Sequence, residues 1–217
     1  AKIKYNSKIK FLPFKRTGDH NSTALLKDVT SATSIREQLK VKKIGKLKGV
    51  MPTFVFDDLP KTPYDFSQIL MSALYRVDAE TLKETLDCTE GLENRIKALI
   101  KDNFDYEVAL EKITTKRYTY ARVKRIVVAN LLGITKKQVI KALDSELYCK
   151  VLAVKKDGKD VVSYLCNHSN IPVLTRKKDY TEVKKFANEI LLIDELACEL
   201  YSLVSKKKQN EYQMLLV

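Results

Sequence analysis

The sequence has 217 residues, of which 45% are hydrophobic and 31% charged, so it can bury one good core or two small ones. Lys and Arg number 40 against 27 Asp and Glu, and the resulting net charge of +13 attracts polyanions, although a soluble basic protein without such a partner has the same composition. No apolar run approaches the roughly 20 residues that span a bilayer, which excludes a membrane-spanning helix.

The four cysteines indicate a reducing compartment. They are widely spaced and form no CxxC pair, and with only two histidines in the chain a zinc site is not expected. No hydrophobic segment follows the first four residues, so a signal peptide is not expected either. We therefore expect a cytoplasmic protein with reduced thiols, no membrane partner and no protein-bound metal.

The first 64 residues contain the elements of an incomplete α/β layer. Residues 2–14 are predicted to form a strand pair or one kinked strand, and residues 30–39 a helix that Ser34 or Thr33 caps. Residues 40–63 hold two glycines, three prolines and a run of lysines, so we predict a linker there. Within that linker, residues 51–56 are predicted to be a short edge strand or extended chain.

Between residues 65 and 143 the apolar residues recur at helical spacing. Asp78 is a candidate N-cap for the second of these helices, and Gly133 ends the fifth. Short connections between helices are typical of a helical bundle. The six predicted helices span residues 65–76, 78–86, 92–100, 106–113, 118–132 and 135–143.

The C-terminal residues combine short strands with one long helix. Residues 148–154 and 171–175 are strand candidates, and residues 160–167 between them are either a helix or a return strand. If they are a helix, the two strands belong to a βαβ unit and are parallel. Residues 180–205 are predicted to form a long amphipathic helix.

The strongest candidate binding site is the basic segment, residues 115–125, which holds five cations and two tyrosines. On a helical wheel Tyr118, Arg122 and Arg125 lie opposite the apolar arc that faces the core. Arginine forks match phosphate oxygens, and a tyrosine can stack on a base. Lys116 and Arg117 come just before the helix, where free backbone N–H groups also favour a phosphate.

A solvated helix face balanced by nearby acids would have a similar composition. Glu107 and Glu111 are close enough along the chain to supply those acids. However, no Asp or Glu lies between Glu111 and Asp144, and this absence favours binding over a neutralised surface. The sequence therefore predicts that the basic segment binds RNA.

Two further segments are candidates for phosphate contacts. Ser31 and Thr33 lie at a predicted helix start, where N–H groups attract anions, and Arg36 follows one turn later. An ordinary helix cap with a surface arginine has the same pattern. Lys15 and Arg16 end an extended run just before a glycine, which suits a contact with a phosphate or a base.

A third segment carries acids at a helix start. Glu90 and Glu93 suit the positive end of the helix dipole there, and Arg95 follows in the same turn, as in any well-capped helix. The sequence contains no GxxxxGK loop, dinucleotide fingerprint, HEXXH pair or nucleophile motif. No self-contained catalytic set is therefore predicted.

Taken together, these segments resemble the bacterial tRNA(Met) cytidine acetate ligase family. They occur in the order typical of that family, and the resemblance covers essentially the whole chain. The Ser-Ala-Thr-x-Ile-Arg element also resembles a motif of many HIGH-type nucleotidyltransferases. The segments that carry the resemblance are residues 15–18, 31–36, 90–96 and 115–119, with Arg122 and Arg125.

The resemblance implies an ATP-dependent ligase that activates acetate to acetyl-adenylate. Enzymes of that family then acetylate the wobble cytidine of elongator tRNA(Met) to N4-acetylcytidine. ATP would be a substrate, with or without an accompanying Mg²⁺, and no residue is assigned as catalytic. The ATP-binding residues implied are Arg16, Ser31, Thr33 and Arg36. The tRNA-binding residues implied are Lys116, Arg117, Tyr118, Arg122 and Arg125, with Lys15, Glu90, Glu93 and Arg95 supporting the site.

The predicted fold is mainly α with a small α/β part. We expect the tail end of a nucleotidyltransferase-like α/β domain at residues 1–40, then a linker at 41–64. A helical RNA-binding bundle is expected at 65–144, and a small strand/helix unit at 145–217. The family's His-x-Gly-His element, which contacts ATP phosphates, is absent from the sequence, so we expect the chain to begin late in the catalytic domain. Our hypothesis is that this chain alone does not activate acetate, and ATP-dependent release of pyrophosphate by it would contradict that.

Two other functions fit part of the pattern. A nucleotidyltransferase fragment acting on a small metabolite would leave the Arg122 and Arg125 face unexplained. A non-catalytic helical RNA-binding module predicts that Arg16 and Arg36 lie far from any shared pocket.

Overall fold

The computed structural model describes residues 10, 12–15, 23–25, 30–60, 62–212 and 214–216. Its contacts divide the chain into two units, Ala1–Tyr64 and Asp65–Val217. Most of the strand predicted at residues 2–14 lies outside the described residues, and the described residues within it adopt no regular secondary structure. The finer division into four segments stays a prediction.

The described residues of the first unit form two α-helices, α1 (Ala32–Lys40) and α2 (Thr53–Asp57), separated by a 3-10 turn at Ile44–Leu47. The cap predicted for α1 was wrong. Ser31 caps it instead, because its extended backbone lets its side chain accept a hydrogen bond from the Ser34 amide. The extended chain predicted at residues 51–56 was also wrong. Pro52 is the N-cap of α2, with an extended backbone at ψ 142°, and its carbonyl oxygen accepts hydrogen bonds from the amides of Val55 and Phe56, which start the helix.

The second unit contains all six helices predicted for residues 65–143. Four of these helices begin at a residue whose side chain caps them: Asp78, Asp105, Thr119 and Thr135, the last within a capping box. Gly133 adopts φ +69° just after the fifth helix. The helices are α3 (Ser67–Arg76), α4 (Ala79–Lys83), α5 (Leu92–Lys101), α6 (Tyr106–Ile113), α7 (Tyr120–Leu131) and α8 (Lys136–Leu143).

One hydrophobic core holds the helices α3 to α7 together, because α3 packs against α5, α6 and α7, and α4 packs against α5. Its residues lie at the helical spacing that the sequence displays. The side chains that are almost completely buried include Leu74, Leu82, Leu92, Ile96, Ile100, Leu110, Ile113, Val123, Ile126 and Val127. This core fixes the positions of α5 and α7, which carry the candidate site.

The C-terminal part is a small βαβ unit followed by a long helix. The ambiguous segment forms a helix, α9 (Lys159–His168), and strand β1 (Cys149–Lys150) pairs in parallel with β3 (Val173–Leu174). A second parallel pair joins β2 (Ala153–Val154) to β4 (Leu215–Leu216), a strand that the sequence did not predict. The long helix α10 (Lys185–Ser205) begins later than expected, since Lys177–Glu182 is a 3-10 helix.

Within the described ranges, no helix is both long and apolar enough to cross a membrane. The same residues contain no group of three or more His, Cys, Asp or Glu side chains placed to hold a metal ion.

Candidate nucleic-acid interface

An acidic loop, residues 87–91, connects α4 to α5 and forms the centre of the candidate site. Its backbone adopts positive φ at three positions, with 65° at Asp87, 64° at Glu90 and 79° at Gly91. Glycine adopts this conformation readily, but an aspartate and a glutamate do so at a cost. Contacts from other elements must therefore hold the loop in shape.

Arg122 of α7 provides most of those contacts. Its Nε donates to the Asp87 carbonyl oxygen at 3.1 Å, and one terminal nitrogen donates to Thr89 Oγ1 at 2.6 Å. Its other terminal nitrogen lies 3.3 Å from a carboxylate oxygen of Glu90. Only 19% of the Arg122 side chain is exposed, so this guanidinium binds the loop and does not face solvent.

Lys136, the first residue of α8, also binds the loop. Its Nζ donates to the carbonyl oxygens of Lys83 at 2.5 Å and Cys88 at 2.9 Å. The Lys136 amide also donates to the Glu84 carbonyl at 2.8 Å. The loop is thus fixed from two helices that follow it by more than thirty residues in the chain.

Tyr118 does not lie on the exposed face where the helical wheel placed it. The helix begins only at Tyr120, because Thr119 caps it, so the wheel does not apply to Tyr118. A turn closed by hydrogen bonds with Thr115 points the ring of Tyr118 into the core instead. Its hydroxyl donates to the Glu90 carbonyl oxygen at 2.6 Å, so Tyr118 also holds the acidic loop.

Arg117 and Arg125 are the arginines of the basic segment that face solvent. Arg117 Nε lies 3.3 Å from Glu90 Oε2, with 63% of its side chain exposed. Arg125 lies 3.2 Å from Asp87 Oδ2, with 64% exposed. Lys116 is exposed beside them. The acids that pair with the arginines of the segment thus come from the loop before α5, so the absence of acids between Glu111 and Asp144 did not mean that the segment lacks acidic partners. Of the two acids weighed from the sequence, Glu107 accepts a hydrogen bond from Tyr120 at 2.8 Å.

Glu93 and Arg95, predicted to support the site, make contacts within the bundle. Arg95 donates to the carbonyl oxygens of Ile113 at 2.9 Å and Lys112 at 2.5 Å, which satisfies the C-terminal end of α6. Glu93 is buried, and one of its carboxylate oxygens accepts a hydrogen bond from Asn94. Arg95 therefore joins the start of α5 to the end of α6, whereas the hydrogen bond of Glu93 stays within α5.

The two arginines around Glu90 make the loop sensitive to acid. Hydrogen bonds from Arg117 and Arg122 hold the pKa of the Glu90 carboxyl below its ordinary value of 4.5. A carboxyl whose pKa is lower in the folded state stabilises the fold when ionised. This stabilisation is fully present above the ordinary pKa and is lost as the pH falls through the lowered one.

Glu90→Gln should therefore lose less stability than the wild type between about pH 6 and about pH 3. Urea unfolding followed at several pH values measures this difference. Glu84→Gln, an exposed change in the preceding turn, is the matched control and should follow the wild-type curve. Parallel curves for wild type and Glu90→Gln would contradict the assignment of this acid sensitivity to Glu90.

In the first unit, three of the predicted ATP-binding residues lie at the start of α1. Ser31 is buried as the N-cap, Thr33 is half-buried and Arg36 is exposed. An Arg36 terminal nitrogen lies 3.5 Å from Thr33 Oγ1, so these two side chains meet. Lys15 is exposed, and Arg16 lies outside the described residues.

A family model described as HIGH Nucleotidyl Transferase matches residues 1–214. The chain belongs to this family. The match includes both the start of α1 and the basic segment, so both candidate sites lie within the family's sequence pattern.

Curated relatives carry a more specific name. The chain is 31% identical to a tRNA(Met) cytidine acetate ligase of Clostridium kluyveri, covering 92% of this chain and 50% of the relative. It is 29% identical to the protein of the same name from Acetivibrio thermocellus, covering 90% of this chain and 51% of the relative. The chain therefore spans about half the length of the curated relatives it matches.

Solved structures show the same fold. Thermotoga maritima TmcAL in its apo form I aligns with a TM-score of 0.86 at 21% identity, covering 99% of this chain and 57% of that one. Form II, bound with alpha-thio ATP, aligns with a TM-score of 0.83 at 20% identity, covering 99% and 56%. The nucleotidyltransferase-like fold expected from the sequence is confirmed, and so is the resemblance to the ligase family.

Sequence reasoning missed three residues of this site: Asp87, Thr89 and Lys136. The sequence signal that could have indicated this loop is Gly91 with two acids, Asp87 and Glu90, in the four residues before it. A glycine at a helix start often marks an irregular turn. The spacing of residues along the sequence does not indicate that Lys136 contacts that turn.

Proposed function

We propose that this chain is part of a cytoplasmic, ATP-dependent ligase that activates acetate as acetyl-adenylate. The ligase would acetylate the wobble cytidine of elongator tRNA(Met) to N4-acetylcytidine. In this proposal the chain supplies mainly tRNA binding and part of the ATP site. The family match, the names of the curated relatives and a structural neighbour solved with alpha-thio ATP support it.

The tRNA-binding part of the proposal rests on Arg117 and Arg125, which face solvent. Both are paired with the acidic loop, which several hydrogen bonds hold in place. Each guanidinium has five N–H donors. Arg117 uses its Nε on Glu90, and Arg125 uses Nε and one terminal nitrogen on Asp87. The remaining donors of both side chains are available for phosphate oxygens, for which the fork geometry of arginine is well suited.

The basic segment has two kinds of residue in this proposal. Arg117, Arg125 and Lys116 contact phosphates directly, because their charged groups are exposed. Tyr118 and Arg122 belong to the tRNA site as positioning residues, since both hold the acidic loop against which the exposed arginines are aligned. Holding long side chains in place before binding reduces the entropy that binding costs.

The ATP part rests on the start of α1. Backbone N–H groups at a helix N-terminus and the dipole of the helix favour a phosphate. Thr33 and Arg36 lie there side by side, so one anion can be reached by a hydroxyl and a guanidinium together. We assign Ser31, Thr33 and Arg36 to the phosphates of ATP, with Arg16 and Lys15 from the preceding segment. Donors of this type stabilise the charge that develops during adenylyl transfer.

Removing the two exposed arginines tests the tRNA part directly. The double variant Arg117→Ala/Arg125→Ala should bind tRNA(Met) about tenfold more weakly than the wild type at about 0.1 M salt, because two phosphate contacts are lost. Fluorescence anisotropy with labelled tRNA gives both affinities.

The control removes the same charge elsewhere in the unit. Lys155 and Lys178 are exposed and lie in the C-terminal part, away from the basic segment in sequence. The double variant Lys155→Ala/Lys178→Ala should bind tRNA(Met) nearly as the wild type does. Equal losses in the two double variants would mean that net charge alone attracts the RNA, and would refute the proposed site.

A further inference from the structure

A cavity of about 400 Å³ opens beside the exposed arginine of α7. One wall is the C-terminal half of that helix, and the other is the turn that leads from α4 into the acidic loop. Its lining is almost entirely apolar, apart from charged groups at the rim. The residues that line it are Leu86, Asp87, Lys124, Arg125, Val128, Ala129 and Ile134.

The helical spacing of this wall places charge and apolar surface side by side. Arg125, Val128 and Ala129 stand at positions i, i+3 and i+4, so they lie on one face of α7. The backbone of Arg125 therefore lies about one helical turn, roughly 5.4 Å along the axis, from Val128 and Ala129. Lys124 lies at the same rim, and Leu86 and Val128 are both exposed although they are large and apolar.

We propose that this cavity, called the slot below, receives an unstacked nucleobase of the bound tRNA. Lys124 and Arg125 would hold the phosphate attached to that nucleotide. The inference rests on the proposed tRNA-binding function and adds a specific contact to it. A nucleobase is a flat ring with two apolar faces and an anionic phosphate next to it, which matches apolar walls with two cations at the rim. The acid among the lining residues, Asp87, is paired with Arg125, whose remaining N–H donors are those proposed to hold the phosphate. The volume is ample for a purine or a pyrimidine ring.

The apolar lining also determines what kind of recognition the slot provides. Apolar walls stabilise the faces of any base and read no hydrogen-bonding edge, so the slot selects an unpaired nucleotide by its position and not by its identity. It therefore selects RNA with an unpaired nucleotide at a fixed distance from the phosphates that Arg117 contacts. A fully paired helix cannot supply such a base without unstacking it.

The first test removes bases from the RNA and leaves the protein unchanged. A series of tRNA(Met) molecules is prepared, each with one unpaired nucleotide replaced by an abasic residue. One or two positions should lose about tenfold in affinity for the wild-type chain, because the removed base no longer buries its faces against the aliphatic walls. If every abasic tRNA binds like the intact one while binding itself is retained, the slot proposal is overturned and the proposed tRNA function stands.

The second test fills the slot. Ala129→Leu adds apolar volume at its wall without changing charge and suits a helix. It should lower the affinity for intact tRNA(Met) about tenfold, leave the salt dependence of binding unchanged, and cause no further loss on the sensitive abasic tRNA. Ala98→Leu, an exposed position on α5, is the matched control and should bind normally.

Two outcomes separate the slot from the function on which it rests. Base insertion is contradicted, while the tRNA-binding function stands, if Ala129→Leu binds intact tRNA as tightly as the wild type does. The same holds if Ala129→Leu causes an equal further loss on every abasic tRNA. Failure of the wild-type chain to bind any tRNA overturns the proposed function and the slot together.

Discussion

Replacing Arg122 with methionine should lower the free energy of unfolding by about 3 kcal/mol. The guanidinium has three partners in the acidic loop, and the side chain is largely buried, so methionine leaves those polar groups without their donor. The loop also contains two non-glycine residues in the left-handed conformation, whose cost these contacts offset. Urea unfolding monitored by circular dichroism measures the change.

Arg125→Met is the matched control. It removes an arginine from the same helix that also binds the acidic loop, but that ion pair is mostly exposed to solvent. Exposed ion pairs contribute little, so we expect a loss below about 1 kcal/mol. If both substitutions cost the same, Arg122 does not hold the loop in the way its hydrogen bonds indicate.

Lys97→Met should cost about 2 kcal/mol of unfolding free energy. The Lys97 ammonium, on α5, donates to the carbonyl oxygens of Leu74 at 2.7 Å, Tyr75 at 3.2 Å and Val77 at 2.6 Å. These carbonyls lie at the C-terminal end of α3, where the helix has no internal donors left and its dipole favours a cation. Methionine keeps the packing of the aliphatic chain but removes all three hydrogen bonds.

The control for this prediction is Lys101→Met, four residues later on the same helix. Lys101 is exposed, so its removal should change the unfolding free energy by less than about 0.5 kcal/mol. Amide hydrogen exchange provides a second readout, because the last turn of α3 should exchange faster in Lys97→Met. Unchanged protection there would contradict the capping role.

The helical bundle could be predicted because its signals are local. Apolar residues at helical spacing mark α3 to α8, and capping residues such as Asp105 determine where individual helices begin, as in the α6 range, which was predicted to the residue. The parallel βαβ unit was only one of two alternatives, because the short segment at residues 160–167 fits a helix or a return strand; the helix α9 in the structure decides for the parallel pairing.

The contacts of the site could not be predicted, because they join distant parts of the chain. The partners of Arg122 lie 32 to 35 residues away, and those of Lys97 lie 20 to 23 residues away. A helical wheel reports which face a residue occupies, but not which loop covers that face. It therefore assigned Arg122 to solvent, whereas the acidic loop folds over it. The two-residue strand β4 is too short to give any periodic signal.

The residues predicted to contact RNA differ in how far their side chains are exposed to solvent. Arg117 and Arg125 each pair with one acid of the loop and keep further donors available, whereas Arg122 and Tyr118 are occupied by the acidic loop. A basic segment whose charge is organised by a loop of the same protein differs from a flexible basic tail. It presents its cations at defined spacing, which is what recognition of a folded RNA requires.

The salt dependence of tRNA(Met) binding tests this account most directly, since the slope of log affinity against log salt counts the phosphates that the protein contacts. Comparison of the wild type with Arg117→Ala/Arg125→Ala should show a slope reduced by about 1.4 to 1.8, corresponding to two lost phosphate contacts at about 0.7 to 0.9 each. An unchanged slope in the double variant would contradict the claim that these two arginines bind the RNA backbone.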